Sequence, residues 1–296
     1  MNIAIIGASG FVGKNLTKYL LENTDYKIIA ISNNLDNIIV EEKYKNRVNK
    51  IKANVLIYSE IKAALISTDI VFYLVHMMVN NKDDFYEKEA IAAQNTGKAI
   101  LESNIKRVIY MSGLGNDKEK LSQHLLSRHN TGNILSKYSK EFIEFRASMI
   151  IGVGSISFEI IRNIVKKSPI IILPKWAKTK TQPIGLGDVL LYLKSSIDVK
   201  INKSEIIEIG GKEVVSYEDF IRKYSKFRNK NNIIFCTPLL PERIAGLLLS
   251  IFTPKDQSSV GQVMLSSFRN EMIVTNNRAK ELFPDIYPRR IEDFFI

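Results

Sequence analysis

The sequence predicts an α/β fold, a doubly wound parallel sheet with a smaller α-rich C-terminal lobe. Three observations predict it. A glycine-punctuated strand-to-helix junction opens the chain at Ala4–Leu16, AIIGASGFVGKNL. Short β-branched runs then alternate with helix-period segments as far as residue 150, as successive βα units require. One run, Ile70–Val75 (IVFYLV), is apolar almost throughout, the pattern of a strand covered by helices on both faces.

Taken in order, Asn2–Ile6 is a strand and Lys14–Glu22 a helix, with Leu16, Tyr19 and Leu20 at helical spacing. Tyr26–Ser32 is β-branched and stops at Asn33-Asn34, and a weaker strand follows at Ile51–Val55. Ile57–Ile66 reads as a helix, Ile70–Val75 as a central strand, and Asp83–Ser103 as a helix. Strand Arg107–Met111, helix Leu121–Leu135 and strand Phe142–Ser148 complete the alternation. Right-handed crossovers are expected throughout.

Beyond residue 150 the rhythm loosens. Gly152, Gly154, Pro169, Pro174 and Pro183 punctuate loops around a helix at Phe158–Lys166. Ile206–Ile209 returns a strand to the sheet, and Ser216-Tyr217-Glu218-Asp219 has the form of a capping box opening a helix. Further helices are expected near Glu242–Phe252 and Ser259–Phe268. The chain therefore divides into a dinucleotide-binding Rossmann core at 1–150, with the returning strand near 205–210, and a region at 151–296 that is mostly substrate lobe.

Composition narrows the function classes. The 296 residues carry a formal charge of +11, but the basic residues are scattered and no recognition motif accompanies them, so no nucleic-acid partner is expected. Cys236 is the only cysteine and there are three histidines, which leaves no disulfide framework and no zinc-ligand cluster. The N-terminus lacks the architecture of a secretory signal, and the setting reads as cytoplasmic. The most lipid-like stretch, Ile244–Phe252 (IAGLLLSIF), is far short of the ~20 residues that span a bilayer. Peripheral membrane contact stays open, and the sequence carries no signal for oligomeric state.

The opening junction carries the chemistry. Gly7, Gly10 and Gly13 form GxxGxxG between strand and helix: the first allows a tight turn, the second lets backbone amides approach a pyrophosphate, and the third allows close helix-strand packing. The helix N-terminus adds unpaired N–H groups and partial positive charge. Candidate cofactor contacts are thus Gly7, Ser9, Gly10, Phe11, Val12 and Gly13. An acid that would bind the adenosine ribose belongs at the end of the second strand, where Ser32-Asn33-Asn34 stands instead. Asn33 suits a hydroxyl or a phosphate, so NAD and NADP both remain, and the missing acid favours NADP.

These residues, with Asn95-Thr96-Gly97, Arg107–Ser112, Gln182-Pro183-Ile184 and Asp188-Val189, resemble the short-chain dehydrogenase/reductase superfamily over nearly the whole chain. YLVHMM (Tyr73–Met78), HLLSRHNTGNIL (His124–Leu135), FRASMIIGVGSISFE (Phe145–Glu159) and IGGKEVVSYEDF (Ile209–Phe220) look more closely like its atypical bacterial members, the NAD(P)H-binding or NAD-dependent epimerase/dehydratase-like proteins. The resemblance implies a Tyr-x-x-x-Lys pair on the helix after the fifth strand, and a serine at that strand's end to polarise the substrate oxygen.

This chain departs from that plan. Its one Tyr-x-x-x-Lys, Tyr58 to Lys62, lies on an earlier helix. On the matching helix stand His124 and Arg128, which keep the i, i+4 spacing. His124 becomes the candidate proton donor and Arg128 a candidate cofactor contact. Ser112 stands one place before the usual serine position, held here by Gly113.

His76, just past a central strand, is a further candidate contact at the sheet edge, whereas His129 faces away from the His124 pair. Asp188 reads as a helix cap, and Trp176 and Phe158 are candidates to line the lobe pocket. The expected function is NAD(P)-dependent reduction of a small apolar carbonyl or conjugated alkene, with His124 and Ser112 catalytic. Two alternatives stay open: a non-catalytic NAD(P)H-binding redox sensor, and a membrane-peripheral accessory protein.

Overall fold

The computed structural model describes residues 1–77, 85–240, 244, 252 and 267–295. Seven strands form the main sheet: β1 (Asn2–Ile6), β2 (Lys27–Ser32), β3 (Val48–Lys52), β4 (Ile70–Tyr73), β5 (Arg107–Gly113), β6 (Glu141–Ala147) and β7 (Glu205–Ile209). They lie in the order β7-β6-β5-β4-β1-β2-β3, and every neighbouring pair is parallel. The chain winds outward from β1 to β3 and crosses back to β4. The β1/β4 boundary is therefore the topological switch point, where open α/β sheets bind ligands at their carboxyl ends.

Alternation along β1 sorts the core. Ile3 and Ile5 join α1 (Phe11–Asn23) on one face, through Leu16 and Leu20, while Ala4 and Ile6 join the other face. That second face is covered by α2 (Tyr58–Ala64), α3 (Phe85–Glu102) and α4 (Gln123–Leu135), which supply Ile61, Ala92, Ala93, Ile100 and Leu135. Beyond residue 150 come α5 (Ile156–Lys167), α6 (Leu186–Ser195), α7 (Tyr217–Phe227) and α8 (Arg278–Leu282). Helices α6 and α8 return to the first face with Val189, Leu193 and Ala279. Helices α5 and α7 build a separate cluster in which Phe158, Phe220, Tyr224 and Phe295 meet ring to ring.

Several boundaries differ from the sequence expectation. Strand β3 covers Val48–Lys52 in place of Ile51–Val55, because the Asn54 carboxamide accepts the Leu56 N–H and turns the chain there. Strand β4 stops at Tyr73, where Leu74 and Val75 pass against Gly7. The expected capping box at Ser216 is present, with Ser216 and Asp219 exchanging bonds across the first turn of α7. Asp188 is no cap: Gly185 holds the N-cap of α6, and the buried Asp188 carboxylate accepts the Arg289 backbone N–H and Nε–H, both at 2.9 Å.

Phe158 is buried in the lobe core instead of facing a cavity. The segments expected as helices at Glu242–Phe252 and Ser259–Phe268 lie largely outside the described residues, as do Asp83 and Met78. Among the described residues no helix is long and apolar enough to cross a membrane.

Candidate active site

A cleft of about 560 Å³ opens over the carboxyl ends of β1, β4 and β5. Its floor is the glycine loop. Gly7 has φ +90°, and a Cβ there would lie 2.9 Å from the Leu74 carbonyl group. At Gly13 a Cβ would overlap the Gly7 carbonyl oxygen, so only glycine lets α1 start this close to β1. Gly10 is the N-cap of α1, with no side chain capping it and no acid in the first turn. The amides at Phe11, Val12 and Gly13 thus face the cleft as a seat for an anion.

The ribose end is built from hydroxyls and amides. Ser9 Oγ and Ser32 Oγ are 2.7 Å apart, and Ser32 Oγ accepts the Asn34 N–H. Asn33 is exposed at the rim beside Asn54. Among the described lining residues none is acidic, and Arg128 is the one Lys or Arg. A glycine cradle that a Cβ would fill and a helix N-terminus with no acid in its first turn together fit a dinucleotide pyrophosphate.

In the same cleft, beyond Leu74 and Val75, residues from four places in the chain converge. His76 leaves β4, Glu89 comes from α3, His124 and Ser127 from α4, and Ser267 from the C-terminal region. His76 Nδ1 lies 2.6 Å from Glu89 Oε1, and His76 Nε2 lies 2.7 Å from His124 Nε2. His124 Nδ1 lies 2.8 Å from Ser267 Oγ, which is 3.0 Å from Ser122 Oγ, the N-cap of α4.

The charge state of this chain follows from its surroundings. Burial raises the Glu89 carboxyl, but His76, the Arg128 charge and the Ser127 hydroxyl outweigh it and hold Glu89 down to about 2. Glu89 also accepts the Met77 N–H at 2.9 Å. Burial and then the Arg128 charge lower His76, and burial, His76 and Arg128 lower His124 further below the ordinary value. Both rings are therefore neutral near pH 7.

An ionised carboxylate only accepts, which fixes every hydrogen in the chain. His76 Nδ1–H donates to Glu89, so His76 Nε2 accepts. His124 Nε2–H must then donate to it, leaving His124 Nδ1 to accept from Ser267 Oγ–H.

Arg128 stands one turn after His124 and runs under the pair. Its guanidinium donates to the Val75 carbonyl at 2.8 Å and to the Met111 carbonyl, tying the ends of β4 and β5 together, and it stacks 4.9 Å from the Tyr110 ring centroid. Ser112 is buried at the end of β5 and lines the cleft, with its hydroxyl beside that of Tyr110. His129 turns away: its ring lies between Asp117 and the Gly113 carbonyl. Tyr58 and Lys62 sit on α2 outside the cleft, where Lys62 pairs with Glu102.

Glu89 and Ser267 were not singled out in the sequence. Glu89 had a signal: it shares the buried stripe of α3 with Ala92, Ala93, Thr96 and Ile100, and a carboxylate on an apolar stripe needs a buried partner. Ser267 has no local signature, since only the tertiary fold brings it to His124.

Acid stability reports on this cluster. A histidine whose folded value is depressed lets the unfolded chain bind protons first, so stability falls as pH drops below about 6.5, the ordinary value. Glu89 adds stability that is present above its ordinary 4.5 and is lost as pH falls towards about 2. Denaturant titrations from pH 7.5 to 2 are expected to show both declines in the wild type. A His76→Gln/His124→Gln protein should lose the first and show a smaller second, because His76 is the foremost influence holding Glu89 down.

Similarity to known proteins accords with this geometry. Residues 7–149, just under half of the chain, match the model of a family described as NAD(P)H-binding, in keeping with a Rossmann unit that takes NAD or NADP. Among curated relatives, Cinnamoyl-CoA reductase 1 of Petunia hybrida is 28% identical over 118 residues, 38% of this chain and 35% of that protein. Auxiliary protein GraX of Staphylococcus aureus is 25% identical over 181 residues, 58% of this chain and 53% of that protein. The matches thus span about a third and about half of those relatives. Among solved structures, the triphenylmethane reductase of Citrobacter sp. in complex with NADP(H) superposes with a TM-score of 0.76 at 12% identity, covering 100% of this chain and 99% of that one. At that identity the likeness concerns the fold.

Proposed function

We propose that this protein is an NAD(P)H-dependent oxidoreductase, favouring NADP, that reduces a small apolar carbonyl or conjugated alkene. The observation that carries the reading is a hydrogen-bonded pair of histidines, His76 and His124, lining the same cleft as the glycine loop. Gly7, Ser9, Gly10, Phe11, Val12 and Gly13 would hold the pyrophosphate, with Ser32 and Asn33 at the adenosine ribose. Bound NAD(P)H supplies a hydride.

The chain's own residues supply the proton. A substrate oxygen that displaces His76 Nε2 from the His124 Nε2–H takes that proton while His124 Nδ1 receives the Ser267 proton. Ser267 is replenished from Ser122, which is partly exposed to solvent. The imidazole changes tautomer and never carries charge, which suits a site where burial penalises imidazolium. Glu89 holds His76, and His76 holds the His124 ring; both act as positioning residues. Ser112, which lines the cleft at the end of β5, would donate to the same substrate oxygen. Arg128 contributes by fixing the strand ends beneath the nicotinamide position.

Titration of NADPH and NADH by fluorescence, followed by 340 nm absorbance with aldehydes, enones and quinones, tests this reading. The expected result is saturable binding, tighter for NADPH, with oxidation by at least one acceptor class. Binding with no turnover across the panel would overturn it. That outcome would favour a non-catalytic reader of nicotinamide redox state, a reading supported by the missing Tyr-x-x-x-Lys pair and by the likeness to a protein named as auxiliary.

A further inference from the structure

Behind the cleft lies a second chamber of about 210 Å³, set between α5, the strand at Ile170–Pro174 and α7. Its wall is Ile160, Ile164, Ile171, Leu173 and Trp176, and among the described lining residues none is charged. Met149, Ser157, Tyr217 and Phe268 line both the chamber and the cleft, so the two spaces share a mouth. That mouth is aromatic: Tyr217 and Phe268 lie 4.8 Å apart between ring centroids, and Trp176 and Phe268 lie 5.5 Å apart. Tyr217 Oη is buried there beside the Thr181 hydroxyl.

Protein interiors hold few voids larger than a water, and an apolar void lowers stability in proportion to its volume. This one is larger than the roughly 150 Å³ apolar cavity that stays dry and admits benzene, and it joins the site where the histidines stand. We infer that the chamber is a binding subsite for an aryl tail of about naphthyl size, whose oxygen-bearing head lies in the cleft towards Ser112 and His124. Aromatic rings at the mouth and the isoleucine and leucine wall favour an aryl group over a sugar, since among the described lining residues no charged or amide side chain could pair with sugar hydroxyls. The role of the head rests on the oxidoreductase reading, whereas occupancy of the chamber does not.

Trp176 is the only tryptophan in the chain, so its fluorescence lifetime reports on the chamber directly. Without cofactor, 2-naphthaldehyde is expected to shorten that lifetime saturably, with a Kd at least about tenfold below that of benzaldehyde. Ile164→Phe should erase this preference while NADPH affinity and melting temperature stay near wild type. Equal affinity of the two aldehydes for the wild-type protein would overturn the inference, whether or not the variant folds, as would a folded Ile164→Phe that keeps the preference. A saturable lifetime change without NADPH oxidation leaves the subsite standing and counts against the catalytic reading alone. NADPH oxidation by both aldehydes at equal kcat/KM, with no response from Trp176, counts against the subsite alone.

Discussion

His124→Ala is expected to lower kcat for carbonyl reduction by about 10²- to 10⁴-fold, the range typical of a positioned acid-base group, with NAD(P)H affinity changed by less than about twofold. The asymmetry follows from where His124 sits. Its ring contacts His76 and Ser267, and none of its hydrogen bonds reaches the glycine loop proposed to hold the pyrophosphate. Loss of the imidazole removes the group between substrate oxygen and the Ser267 hydroxyl, and water entering the space would give an unfixed donor. Glu89→Gln is the companion: a carboxamide can donate as well as accept, so the hydrogen at His76 is no longer fixed and the His124 tautomer becomes mixed. Steady-state kinetics with a parallel fluorescence titration of NADPH separates the two quantities; a loss of affinity equal to the loss of kcat would place His124 in the cofactor seat.

Gly13→Val has the largest expected effect on the seat itself. A Cβ at this position overlaps the Gly7 carbonyl oxygen and approaches Ala8 Cα within 2.9 Å, both backbone atoms. Neither can swing away as a side-chain tip would, so α1 must move off β1. Overpacking of this kind costs about 1–3 kcal/mol of stability. Displacing the N-terminal amides by even ~1 Å takes them out of reach of the pyrophosphate, a misplacement of the size that costs about 100-fold. The expected outcome is a protein that melts lower yet cooperatively, and that binds NADPH at least about 100-fold more weakly. Retention of wild-type affinity would mean the dinucleotide does not bind against this turn.

The glycine loop was legible in the sequence because its function is local: Gly7, Gly10 and Gly13 lie within one turn, and the backbone sterics that require them act over a few residues. The same holds for the capping box at Ser216 and for the apolar run of β4. Edges were harder. Strand β3 lies at the sheet margin with an exposed face, so hydrophobicity marks it weakly, and a carboxamide at Asn54 decides where it ends. The histidine chain was legible only in part. His76 and His124 stand out by rarity and by position after a strand and on α4. Their pairing, the Glu89 anchor and the Ser267 terminus depend on contacts between residues 13 to 143 positions apart. Spacing along the chain says nothing about such pairs, and the apolar chamber behind Phe268 is invisible for the same reason.

Nitrogen-15 chemical shifts of the three histidines, followed by NMR from pH 8 to 4, test most directly whether Glu89 sets the direction of this hydrogen-bond chain. The expected spectrum near pH 7 shows two neutral rings, His76 protonated on Nδ1 and His124 on Nε2, with both resisting protonation to below their ordinary value of 6.5. An imidazolium at either position at pH 7, or the opposite tautomers, would contradict a neutral relay through His124.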